Sequence, residues 1–198
     1  PECGRTVADF SGTGSEYPWN VGIYKLNNST EEKYKYVCGG SLLSQYIVVT
    51  AAQCVTDKFS HSLSKNDYSV AAGKIYRRYD DSRDTQAQFS NVTHIMIHPN
   101  YKISNKVSRN IAFLIASSPF SLNNFVQPVC INEITYTWWK DGDTGLMVGW
   151  KSTDGVSLEI VEAIEVTRLL RYNCTGIDRS DPKEIVLGEK MCTAFKNE

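Results

Sequence analysis

The stretch from Cys38 to Cys54, C-G-G-S-L-L-S-Q-Y-I-V-V-T-A-A-Q-C, constrains this chain more than any other. Two cysteines bracket a run that reads as a β-hairpin. Gly39-Gly40 offers the permissive backbone of a turn, and Tyr46-Ile47-Val48-Val49-Thr50 is aromatic and β-branched, as a strand requires. Ala51-Ala52 then supplies two small side chains, so that the next residue, Gln53, stands close to neighbouring backbone.

The 198 residues suffice for one sizeable domain or two small ones, and a hydrophobic content of 41% is ordinary for a globular protein. A formal charge of -1 argues against a broad basic surface for nucleic acid or for acidic membranes. No apolar run approaches the length of a membrane-spanning helix. The sequence starts at Pro1-Glu2-Cys3 without a signal-peptide pattern, as a processed product would, so that absence says nothing against secretion. Six cysteines lie between Cys3 and Cys192 with no C-x-x-C pair, which suits disulfides better than zinc. Glycosylation sequons at Asn28 (overlapping one at Asn27), Asn91 and Asn173 add a second sign of the secretory route.

Short strands separated by turn signals recur along the chain. Val21–Tyr24 and Tyr34–Val37 alternate like paired strands around the polar tip from Asn27 to Lys33. Tyr68–Lys74 is a short strand with a turn glycine at Gly73, and Gln88–Met96 and Val161–Leu170 also read as strands. Helical character is confined to single turns near Ala51–Val55 and Leu169–Cys174. Such spacing predicts an all-β sandwich or barrel. The acidic group Asp80-Asp81-Ser82-Arg83-Asp84 invites comparison with a calcium loop. It lacks regular ligand spacing and a closing glutamate, and Arg77, Arg78 and Arg83 offset its charge, so it reads as a solvated loop with no metal. His61, His94 and His98 have no ligand-spaced neighbours and read as surface or packing histidines. Of the adjacent Trp138-Trp139, either one packs while the other is an exposed contact residue, or both are partly buried on a loop.

The Cys38–Cys54 stretch resembles the C-G-G-[ST]-L-[IL] … V-x-T-A-A-H-C pattern of trypsin/chymotrypsin-like serine proteases. The resemblance continues through Pro18-Trp19, Ile97-His98-Pro99-Asn100-Tyr101, Asn110-Ile111-Ala112-Phe113-Leu114, Gln127-Pro128-Val129-Cys130-Ile131 and Met147-Val148-Gly149-Trp150. It covers nearly the whole chain, and several fragments look nearest to arthropod modular serine proteases. It implies two antiparallel Greek-key β-barrels: a tethering segment over 1–5, a first barrel over 6–120, then a linker and a second barrel over 121–198 that is incomplete at its C-terminal end. It implies the disulfides Cys3–Cys130, Cys38–Cys54 and Cys174–Cys192, and it places Arg5-Thr6 at the activation bond, where by residue type alone Arg5 reads as an exposed linker residue. Thr6-Val7-Ala8-Asp9 departs there from the family's I-V-G-G.

The same resemblance locates a chemistry that the residues cannot perform. Acyl transfer by this fold needs a serine, an imidazole that takes and returns its proton, and a carboxylate that orients the imidazole. The histidine position is Gln53 and the aspartate position is Asn110, and no G-D-S-G-G occurs in the 198 residues. A side-chain amide has no accessible pKa and cannot act as general base. The resemblance therefore implies a secreted pseudoprotease without catalytic residues or cofactor, acting as a cofactor, scaffold or decoy in an extracellular proteolytic or immune cascade, its partner a protease, another cascade component or the missing C-terminal segment. The alternative is a truncated or deliberately inactivated form of an active secreted endopeptidase. A third reading is a structural module of a larger mosaic protein.

Overall fold

The computed structural model describes residues 3–4, 6, 15–27, 32–101, 109–131, 140–150, 152–153, 156–157, 159–169 and 192–195. Six strands come first: β1 (Asn20–Leu26), β2 (Tyr34–Leu42), β3 (Ile47–Thr50), β4 (Tyr68–Ala72), β5 (Gln88–Ile97) and β6 (Ala112–Ala116). They close into an antiparallel barrel in the order β1-β2-β3-β6-β5-β4. Closure removes the open edges that a sheet of this size would otherwise expose.

Period-two alternation decides which side chains fill the barrel. In β6, Ala112, Leu114 and Ala116 point inward. Val21, Ile23, Leu42, Val48 and Val70 join them in one core cluster, together with Tyr68, Phe120 and Val126. Leu114 is fully buried, so Leu114→Ala should cost about 2–5 kcal/mol, the lost transfer energy plus a cavity. Chemical denaturation checks this. Leu146→Ala, at a side chain 60% exposed, should change stability by less than about 0.5 kcal/mol.

Two tyrosines are buried, Tyr68 in this core and Tyr24 on the other face of β1 against Tyr36 and Tyr79. Tyr68 donates its hydroxyl to the Cys54 carbonyl at 3.1 Å, and burial, followed by the charge of Asp67, pushes its pKa up to about 12. Tyr24 donates to the Arg77 carbonyl at 3.0 Å and is raised further, first by burial and then by Tyr36 and Asp84. A phenol held above its unfolded value of about 10 stabilises the fold fully below that pH, and the contribution is lost as pH rises through the folded value. Phenolate absorbance should therefore show these two rings titrating late, together with alkaline unfolding. Titration of all tyrosines near pH 10 with the fold intact would contradict it.

The second half is built on β7 (Thr144–Gly149), β8 (Ser152–Thr153), β9 (Val156–Ser157), β10 (Glu162–Leu169) and β11 (Cys192–Phe195). Strand β10 is central in a three-stranded sheet β11-β10-β7, and β8 pairs with β9. Val166 is buried here, whereas Leu146 and Met147 on β7 are exposed. The fold is thus all-β, a closed barrel followed by a second, partial sheet, with helix limited among the described residues to 3-10 turns at Ala52–Cys54 and Lys65–Asp67. No helix among them is long and apolar enough to cross a membrane.

Two local expectations are corrected. Gly39-Gly40 is not a turn but part of β2, and the chain reverses at 43–46, where Leu43 N–H donates to Ile47 O at 2.8 Å. Glycine is needed at position 40 for closeness, since a Cβ there would lie 2.8 Å from the Val49 carbonyl oxygen. The Asp80–Asp84 segment is not uniformly solvated either. Asp84 has a side chain only 1% exposed and pairs with Lys74, whose side chain is 0% exposed. A buried cation accounts for a carboxylate that composition alone assigned to water.

Cys3 is bonded to Cys130, and Cys38 to Cys54. Cys192 is also disulfide-bonded, while Cys174, its expected partner, lies outside the described residues. So do Arg5, Val7–Asp9, Asn28, Trp138, Trp139 and Asn173.

Candidate functional site

Strand β3 ends at Thr50, whose hydroxyl donates to the Gly39 carbonyl at 2.9 Å and ties the strand end to β2. The chain then makes the 3-10 turn Ala52–Cys54. Ala52 is fully buried and its carbonyl accepts from Thr56 Oγ1 at 3.1 Å, while Cys54 is anchored to Cys38. Both flanks of Gln53 are therefore fixed, and Gln53 itself is exposed. Small alanines permit this, because a larger residue at position 52 would have to displace core.

Asn110 lies two residues before β6, the strand paired with β3, and is half-buried. The Gln53 backbone N–H donates to Asn110 Oδ1 at 3.0 Å, and Asn110 Nδ2 donates to Gln53 Oε1 at 3.0 Å. The orientations are mutually dictated. A backbone N–H can only donate, so the asparagine must present its oxygen to it, and the other arm of that amide must then be the donor. Residues 57 positions apart in sequence thus form a reciprocal, uncharged pair.

Such a pair cannot do what a histidine and a carboxylate do. Gln53 takes no proton near neutral pH, and Asn110 supplies no charge for an imidazolium. Asn110 also presents an N–H donor toward position 53, where a base would need an acceptor.

The histidines lie elsewhere. His61 Nδ1 is 3.3 Å from Asp57 Oδ2 on an exposed hairpin tip, where Asp57 accepts from the His61 and Phe59 backbone N–H groups. These bonds, that of His61 first, hold the Asp57 carboxyl below its ordinary range. His98 sits in a turn, its Nδ1 accepting from the Asn100 N–H at 3.1 Å, and His94 is exposed on β5. Among the described residues no group of three or more His, Cys, Asp or Glu could hold a metal ion. Asn91 is exposed on β5 with Thr93 two positions on. Sequence reasoning named Gln53 and Asn110 separately. Their reciprocal bonding had no sequence signal beyond both being amides.

The chain matches the trypsin family across residues 8–196 and belongs to it. Among its relatives, Modular serine protease of Drosophila melanogaster is 30% identical over 82% of this chain and 28% of its own length. Coagulation factor IX of Cavia porcellus is 34% identical over 96% of this chain and 61% of its own. A protein named an inactive serine protease in Xenopus tropicalis is 29% identical over 76% of this chain and 22% of its own. The chain thus spans less than two thirds of the length of each of these curated relatives.

Proposed function

We propose that this protein is a catalytically inactive member of the trypsin family that works by binding another protein, as cofactor, scaffold or decoy in an extracellular proteolytic or immune cascade. The observation that carries the reading is the Gln53–Asn110 pair, in which two neutral amides satisfy one another where the family resemblance puts the base and its carboxylate. An inactive serine protease among the relatives supports the loss of chemistry, and the coagulation factor among them supports the cascade and an extracellular setting. On this reading 6–120 is the first barrel and 121–198 the linker and second barrel. Arg5-Thr6 is the activation-bond position, the segment 1–5 is held by Cys3–Cys130, Cys174 closes on Cys192, and Asn28, Asn91 and Asn173 carry glycans.

A second reading, an active endopeptidase in disabled or truncated form, is favoured by the 34% identity to a coagulation factor over 96% of the chain. Fluorophosphonate labelling of the natural protein separates the two. The expected result is no labelled serine above a heat-denatured control. Stoichiometric labelling would sink the binding-only reading.

A further inference from the structure

We propose that the loop between β4 and β5 is a strap, and that its buried Lys74–Asp84 pair holds the first barrel to the second sheet, so that pair and seam open together.

The pair shapes backbone as well as neutralising charge. Lys74 Nζ donates to the Tyr79 carbonyl at 3.0 Å and to Asp84 Oδ2. The Asp84 carboxylate in turn accepts from the backbone N–H of Ile75 at 2.8 Å and of Tyr76 at 3.2 Å. Two ends of the loop, ten residues apart, are thereby drawn onto one side of residues 75–76.

The other side of that same short segment faces the second half. Arg77 N–H donates to Glu159 O at 2.7 Å, Val161 N–H donates to Ile75 O at 2.8 Å, and Tyr76 stands opposite Ile160 as an antiparallel bridge. The Trp150 indole, at the end of β7, also donates to Ile75 O, at 2.9 Å. Arg83 closes the outside: its guanidinium lies 3.6 Å above the Tyr76 ring and reaches Glu159 at 3.6 Å.

Ile75 is 46% and Ile160 50% exposed, so apolar burial here rests on Trp150, 7% exposed and edge-on to Tyr36 of β2 at 5.3 Å. Beside that ring contact, the short segment is held by a set of hydrogen bonds that fix the backbone of residues 75–77. Asp84, fixed by Lys74, is the group that keeps it in place. If the carboxylate leaves, Ile75 and Tyr76 lose their acceptor and the donors and acceptors facing Glu159 and Val161 lose their alignment.

Native-state hydrogen exchange tests this, because a substitution changes the opening of an amide only if that opening breaks the altered contact. In the unaltered protein the amides of Ile75, Tyr76, Arg77 and Val161 and the Trp150 indole should share one protection factor. Asp84→Asn should speed all five by at least tenfold. If Asp84→Asn does not fold, Arg83→Ala, at a side chain 53% exposed, should still speed Arg77 and Val161 by two- to threefold. Protection of Ile75 and Tyr76 differing more than tenfold from that of Arg77 and Val161 would overturn the strap. So would unchanged exchange across the seam in the variants.

Discussion

Peptide-ester hydrolysis by the natural protein should be no faster than the residue left when a catalytic triad loses its base, about 10³–10⁴-fold over water. Working enzymes reach about 10⁶-fold and far beyond. The expectation follows from proton accounting. A serine hydroxyl attacks only as its proton leaves, and the groups at positions 53 and 110 are amides already bonded to one another. Nor should Gln53→His alone restore turnover. Asn110 would donate its N–H to the new imidazole and hold the wrong tautomer, a defect worth about 10⁴ in kcat. In the 198-residue chain even Gln53→His with Asn110→Asp should stay inactive, because these residues contain no G-D-S-G-G serine loop. A kcat/KM above about 10⁴ M⁻¹s⁻¹ for the natural protein would place it among ordinary enzymes and end this account.

Lys74→Met should lower the unfolding free energy by about 3–5 kcal/mol, since it leaves a carboxylate with 1% side-chain exposure without its cation. Asp84→Leu should be at least as damaging. It strands the ammonium and also removes the acceptor shared by the Ile75 and Tyr76 amides. The double substitution should recover part of the loss but not all. Replacing a buried ion pair by apolar groups is often neutral, yet here two backbone N–H groups remain without a partner. Urea denaturation of the three variants decides this. Equal, small effects below about 1 kcal/mol would mean that water reaches the pair.

The strands of the first barrel were legible because their signal is periodic and local, while a barrel rather than a sandwich came from the family resemblance. Tyr46–Thr50 and Gln88–Met96 announce strands by residue type, and burial of alternate residues in β6 follows from the pleat. Gly39-Gly40 misled because two glycines signal a turn as readily as close packing, and only the nearness of Val49 tells them apart. Asp84 misled for a related reason. Its partner is ten positions away in sequence, and a charge run reads as solvated until a buried lysine is seen facing it. At the candidate site the positions of Gln53 and Asn110 came from the family pattern. The direction of each hydrogen bond came from geometry alone.

The reciprocal amide pair also fixes how this face answers acidity. A histidine beside an aspartate changes charge near pH 6.5, so a surface built around them differs between mildly acidic and neutral fluids. Neither Gln53 nor Asn110 gains or loses a proton over that interval. Their contribution to shape and potential is the same in both. Any acid sensitivity of this face therefore originates in groups other than this pair.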